Sequence, residues 1–251
     1  MVVLKTSEQL KLMKRAGRIT GEALLVARDL IRPGISTGEL DGAIRAYIEK
    51  CGAKPSFLGY SGFPGSACIS INEEVIHGIP SKKRILREGD LVKVDVGAYI
   101  GGYHGDSART FAVGEISPEA RRLLDTTRSA FYAGLARVKV GGRIGDIGHA
   151  IDAHCAAEGY SVVREFVGHG IGAKLHEEPD VPNYGTEGRG CRLYAGMTIA
   201  IEPMVNAGSA KVKVLDDGWT VITEDHTLSA HYEHTVAITD DGPILLTDVG
   251  E

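Results

Sequence analysis

The chain has 251 residues, enough to bury roughly three quarters of its unfolded surface in one large domain or two small ones without disulfide or metal staples. Apolar residues at 43% and charged residues at 24% are ordinary for a globular chain, but the 33 glycines exceed the usual ~7% and call for many tight turns or close backbone approaches. A net charge of −5 gives no basic field for nucleic acid, Cys51, Cys68, Cys155 and Cys191 form no C-x-x-C and so neither a zinc ribbon nor a disulfide framework, and no apolar run nears the ~18 residues of a membrane span.

At the N-terminus, "MVVLKTSEQLKLMKRAG" lacks the apolar core of a secretory signal, so the expected location is the compartment of synthesis, where reduced thiols fit a cytosol. Ser7 opens an amphipathic pattern in which Leu10, Met13, Ile19, Ala23, Leu24, Ala27 and Leu30 return at helical intervals until Pro33-Gly34 stops it. Ser36 with Glu39 three positions on resembles a capping box, and a second helix runs through Leu40, Ile44, Tyr47 and Ile48 to Gly52. Strand-like segments follow from Ala67 to Ile71 and from Leu91 to Val113, broken by turn residues. Ser117-Pro118-Glu119 puts a cap residue and a first-turn proline in the favoured order, and Gly141-Gly142 is expected to end that helix. Asp146 to Ala157 reads as the next helix. Beyond Gly159 the pattern is short strands and glycine-rich turns, with strands expected at 161–167, 197–205 and 230–239.

The two halves echo each other. A shift of 107 positions carries Gly34 onto Gly141, Gly38 onto Gly145, Glu39 onto Asp146, Leu40 onto Ile147, Ile44 onto Ile151 and Gly52 onto Gly159. This predicts a single α+β domain made of two duplicated halves, approximately 1–115 and 116–251, with a sheet covered by helices on one side and a site between the halves.

The stretch from Val167 to Pro179 reads "VGHGIGAKLHEEP". Gly168, Gly170 and Ala173 fit the G-x-G-x-x-G/A turn of a dinucleotide site, but Pro179 and Pro182 leave no room for the helix that should receive a pyrophosphate. Its histidines, His169 and His176, are then the chemically interesting members. In "LVKVDVGAYIGGYHGDSARTFAV" a turn at Ile100-Gly101 sets Asp95 directly opposite Asp106, and two facing carboxylates want a cation or a proton between them. Solvated turn flanks are the plainer reading of that segment alone.

Glu202 after "MTIAI" and Glu233 within "AHYEHTVAI" sit in apolar runs, where a carboxylate requires an ion pair or a metal. Together with His169 the four acids form a candidate ligand set whose charge two divalent ions would balance. Oxygen-rich donors with one imidazole suit Mn, Fe(II), Co or Zn and the chemistry of two-metal hydrolysis. No G-x-S-x-G, Walker loop or H-E-x-x-H competes with it.

Five ordered motifs, "NEEVIHGIP", "DVGAYIGGYHGD", "GHGIG" with "HEEP", "AIEP" and "YEHT", together resemble the methionine aminopeptidases of type I along essentially the whole chain. The resemblance implies the pita-bread fold, a curved antiparallel sheet with helices on its outer face and a pseudo-twofold duplication. It implies two divalent metal ions (Co, Mn, Fe(II), Zn or Ni) held by Asp95, Asp106, His169, Glu202 and Glu233, with Asp106 and Glu233 bridging. By the same resemblance Glu202 is the general base, His77 contacts the region of the scissile amide, and His176 donates to the substrate carbonyl or oxyanion. Tyr60, Phe63, Cys68, Leu175 and Trp219 are similar to the walls of the methionine pocket, while Phe57 and Leu175 fall where the family varies. The expected activity is removal of the initiator methionine from nascent chains and short peptides when the second residue is small. A monomer in a bacterial cytoplasm is expected, with ribosome association open. Prolidases or X-Pro aminopeptidases, whose metal ligands look alike, and non-catalytic proteins of the same fold are the rivals. The former usually carry a sizeable N-terminal domain, and the latter have lost ligands that are all present in this sequence.

Overall fold

Thr6, one residue ahead of the expected start, caps α1 (Ser7–Leu30) by accepting the Gln9 amide while the Gln9 side chain accepts the Thr6 amide. The computed structural model describes residues 2–250. Helix α2 (Thr37–Lys50) begins in the expected Ser36–Glu39 capping box. Their apolar faces, including Ile19, Leu24, Leu40, Ile44 and Ile48, close over β2 (Ala67–Ile71) and β4 (Leu91–Ile100), and this core lies wholly within residues 19–113. Strand β4 pairs on one edge with β5 (Tyr103–Ala112) and on the other with β1 (Lys54–Pro55) and β2. Helix α1 lies tight on β5 because Gly17 meets Gly105: a Cβ on Gly105 would come within 2.7 Å of the Gly17 backbone.

The β4–β5 hairpin departs from the expected register. Its turn is Gly101-Gly102, not Ile100-Gly101, since both glycines take left-handed φ angles of 63° and 88° as a two-residue hairpin turn requires. Asp106 therefore opposes Gly97, and Asp95 opposes Ala108. A shift of two residues preserves the face, so the two aspartates remain diagonal neighbours on one side of the sheet.

In the second half α3 (Pro118–Leu135) starts at the Ser117 cap but stops before the expected Gly141-Gly142, because the next amides, Arg137 and Val138, bond back three residues to Gly134 and Leu135. Helix α4 (Ile144–Ala157) has its first free amide, Arg143 N–H, taken by the Asp146 carboxylate at 2.8 Å. The 107-residue shift carries Thr37–Lys50 onto Ile144–Ala157, and both flanking glycine pairs, Gly34 with Gly141 and Gly52 with Gly159, have positive φ. Helices α3 and α4 pack against a five-stranded antiparallel sheet in the order β15 (Gly242–Leu245), β14 (His234–Thr239), β9 (Thr198–Ile201), β7 (Gly168–Gly170), β8 (Glu177–Val181).

A second antiparallel sheet has the order β13 (Ser229–His231), β10 (Met204–Asn206), β6 (Ser161–Val162). A third, β11 (Val212–Val214), β12 (Val221–Thr223), β3 (Glu74–Ile76), takes its last strand from the first half. The strands expected over 197–205 and 230–239 are thus each split, at Glu202-Pro203 and at Tyr232-Glu233, and change sheet there. His234 opposes Ile201 before the break and His231 opposes Met204 after it, so Glu202 and Glu233 face each other where the ladder parts.

The halves are sewn together along β5. The Glu233 amide donates to the Ala108 carbonyl at 2.9 Å, the Ser107 hydroxyl to the Glu233 carbonyl at 2.6 Å, and the Asp106 amide to the Thr235 hydroxyl at 3.0 Å. The described residues thus form an α+β arrangement of antiparallel sheets with helices packed against them, the class expected from the sequence.

Candidate active site

Each acid and histidine of interest reaches the site from a different segment. Asp95 comes from β4 and Asp106 from the facing strand, His169 from the middle of β7, and Glu202 and Glu233 from the two strand breaks. All five line one cavity of about 230 Å³. Single ligand atoms of Asp106, His169 and Glu233 lie within 4.8 Å of one another. His169 Nε2 is 3.7 Å from Asp106 and 3.6 Å from Glu202, beyond direct hydrogen bonding, so these groups converge on a space and not on each other.

The glycines flanking His169 have a packing role. A Cβ on Gly168 would stand 2.4 Å from the Ala200 carbonyl and one on Gly170 2.2 Å from that of Glu178, so β7 fits between its neighbours only without side chains there. They clear neighbouring strands, and His176 lies in the loop just ahead of β8.

Burial sets the protonation states. It pushes Asp95 up to about 7 and lifts Asp106, Glu202 and Glu233 well above the carboxylate range, with mutual repulsion adding to the last three. His169 is held neutral, down to about 3, by the same burial. Its Nδ1 sits 2.8 Å from the Gly170 carbonyl, which fixes the proton there and turns the Nε2 lone pair toward the acids. Asp95 Oδ1, Asp106 Oδ1 and Glu233 Oε1 are buried with no hydrogen-bond partner. Orphaned carboxylate oxygens around a neutral imidazole nitrogen suit hard or borderline divalent cations, so the donor set fits the metal that the sequence led us to expect.

The remaining wall is apolar. Phe57, Phe63, Cys68 and Leu175 are buried in one cluster against which Trp219 packs, its ring meeting Phe63 edge-on at 5.1 Å. Burial drives the Cys68 thiol far above its normal range, so it stays protonated and behaves as a small hydrophobe. Tyr60 stands at the mouth, exposed, with its hydroxyl 2.7 Å from His176 Nδ1. His77 holds a left-handed φ of 59°, costly for a residue with a Cβ, and its ring is set edge-on between Phe166 and Trp219. Burial lowers it to about 4, leaving the imidazole neutral.

Every residue expected at the site therefore lines the cavity. Sequence reasoning missed Phe166 and Ile76, which complete the wall beside His77. Phe166 falls within the strand expected over 161–167, of which only Ser161–Val162 forms, so its position on the cavity wall could not be read from the pattern, while the apolar Ile76 beside the "HGIP" motif could have been picked out. Among the other histidines, His231 and His234 diverge. His231 is buried with Nε2 3.7 Å from Glu202, whereas His234 turns to the far side of the sheet, onto Arg109 and the Thr247 hydroxyl. His104 bonds Ser56, His154 bonds Ser129, and His149 and His226 are exposed.

The sequence profile of metallopeptidase family M24 matches residues 11–240. The chain is 51% identical to a protein of Clostridium acetobutylicum named methionine aminopeptidase, over 98% of this chain and 99% of that one. It superposes on the crystal structure of methionine aminopeptidase from Thermotoga maritima with a TM-score of 0.97 and 42% identity, covering 99% of this chain and all of the other. A prolidase from Pyrococcus furiosus shares the fold at a TM-score of 0.80 and 25% identity, with 99% of this chain covering 66% of it. No described helix is long and apolar enough to cross a membrane.

Proposed function

The chain belongs to metallopeptidase family M24, and from that premise we propose that it hydrolyses the peptide bond after an N-terminal methionine, with Asp95, Asp106, His169, Glu202 and Glu233 holding two divalent ions. The observation that carries this is a single cavity in which partnerless carboxylate oxygens border an apolar wall built from Phe63, Cys68, Leu175 and Trp219. An acidic, neutral-imidazole floor suits an α-amine and a scissile carbonyl; the wall suits an unbranched thioether side chain. Full-length identity to a methionine aminopeptidase, against weaker likeness to a prolidase, favours methionine over an X-Pro bond.

Two divalent ions bound here would supply Lewis acidity to the carbonyl and lower the pKa of the attacking water. The work of the chain's own groups follows from their placement. Glu202 accepts a proton from the water and passes it to the departing amine, its two oxygens standing 3.6 Å from His169 Nε2 and 3.7 Å from His231 Nε2. The Tyr60 hydroxyl donates to His176 Nδ1, which leaves Nε2–H to donate to the carbonyl oxygen as it gains charge. His77, fixed between two aromatic rings, meets the amide of the second residue. A small second residue is part of the reading, since that amide must approach Glu202 and His77 within about 230 Å³. Nascent-chain N-termini and short peptides are the proposed substrates, met by a monomer. We read the halves as an internal duplication, supported by the matching helices and the confinement of one core to the first half.

The test is turnover of Met-Ala-Ser, Met-Lys-Ser and a Gly-Pro dipeptide in the presence of Mn(II) or Co(II). Selective release of methionine from the first is expected. Preference for Gly-Pro, or equal cleavage after methionine whatever follows it, overturns the reading.

A further inference from the structure

Lys93 is among the largest fully buried side chains, 1% exposed, and it stands on the same face of β4 as Asp95, two residues away. A buried lysine nitrogen is costly unless acceptors replace its water. Its Nζ donates to the Asn72 carbonyl at 2.6 Å and to the Ser229 carbonyl at 3.0 Å. Asn72 belongs to the first half and is held in a left-handed φ of 53°, with its side chain bonded to Leu91 and Asp90. Ser229 opens β13 in the second half, and its own amide donates to the same Asn72 carbonyl at 3.1 Å.

The rung of the hairpin that contains Lys93 also contains Thr110, whose hydroxyl bonds both the amide and the carbonyl of His231, each at 2.8 Å. Two side chains of one rung therefore suspend β13, and β13 leads within two residues to Glu233. Apolar burial alone could hold β13 near β4 but would not fix its position along the strand, whereas an amine donating to two carbonyls does.

We infer that Lys93 is a positioning residue: its two Nζ hydrogen bonds clamp the strand carrying Asp95 to the strand that delivers Glu233, and so set the spacing of carboxylates contributed by the two halves. The inference rests on the metal-ligand reading above, and its test reads the clamp separately from peptide cleavage. In Lys93→Met, hydrogen exchange at the Ser229 amide should speed up at least about tenfold while the β4 amides stay protected, and Co(II) affinity, followed by its visible absorption, should weaken roughly 10- to 100-fold. In Lys93→Ala, ammonium chloride should restore part of the Co(II) affinity and tetramethylammonium chloride at equal ionic strength should not, because only the former can donate to the vacated carbonyls.

Unchanged Ser229 exchange and Co(II) affinity within twofold of the parent in a folded Lys93→Met variant overturn the inference. So does a folded Lys93→Ala variant equally indifferent to both salts. A parent protein that binds Co(II) yet leaves methionyl peptides intact would instead defeat the proposed function and leave the clamp standing.

Discussion

Removing divalent metal should make the stability of this protein fall as pH rises. Burial lifts Asp95 from an ordinary 3.8 to about 7, and Asp106, Glu202 and Glu233 move in the same direction. A carboxyl whose folded-state pKa is raised binds more protons when folded than when unfolded, so its stabilising effect is full below about pH 4 and is lost as pH climbs through about 7. For Asp95 alone, about three pH units at ~1.36 kcal/mol each amount to roughly 4 kcal/mol. At about 2–4 °C per kcal/mol for a chain of this size, the chelated protein should melt roughly 10 °C lower near pH 7.5 than near pH 4.5 from this group, more if the other acids contribute. Metal replaces those protons, so the loaded protein should lack this slope and binding should release at least one proton per chain. Calorimetric melting of chelated and Mn(II)-loaded protein across that range, with Asp95→Asn as the flattened control, measures it. Identical pH slopes with and without metal, or metal uptake without proton release, would refute the reasoning.

Glu202→Gln should lower kcat on Met-Ala-Ser by ~10²–10⁴-fold, the span usual for a general base, and full retained activity would remove Glu202 from that role. His176→Ala should cost ~10²–10³-fold in kcat with KM nearly unchanged, as for loss of an oxyanion donor, and Tyr60→Phe should cost less because it removes only the bond that orients the ring. Phe63→Ala should raise KM for methionyl peptides more than it lowers kcat and should drop the melting temperature, since Phe63 is buried in the pocket cluster. Gly105→Ala should destabilise by about 1–3 kcal/mol or more in urea titration, because its Cβ would meet the Gly17 backbone and push α1 off the sheet.

Much of this was legible in the residues. Ser36 with Glu39 and Ser117-Pro118 marked helix starts that the fold keeps, because capping is a local event between residues three apart. Glu202 and Glu233 could be picked out because charged side chains in apolar runs demand a partner, and Asp95 with Asp106 because the hairpin sets them on one face of the sheet. Register was harder: four glycines, Gly97, Gly101, Gly102 and Gly105, lie in and around the β4–β5 turn, and only the pair at 101 and 102 satisfies its backbone angles. The splits at Glu202 and Glu233 were invisible, since an apolar run looks the same whether it continues in one sheet or passes into the next. The partners of Lys93 could not be read at all, because carbonyls from distant turns carry no sequence signature.

The parting of the strands at Glu202 and Glu233 bears on mechanical integrity as well as on chemistry. An unbroken ladder would press two like charges together at that rung, which a sheet tolerates poorly. By separating there, the chain interrupts the ladder where four strand ends from two sheets meet, leaving the Tyr232 amide to donate to the Pro203 carbonyl at 3.3 Å. An ion shared by the two glutamates would serve as the missing rung. Its loss would then slacken both sheets at once, so the reacting centre would double as the clasp of the fold, and starvation for metal would be felt as fragility as well as inactivity.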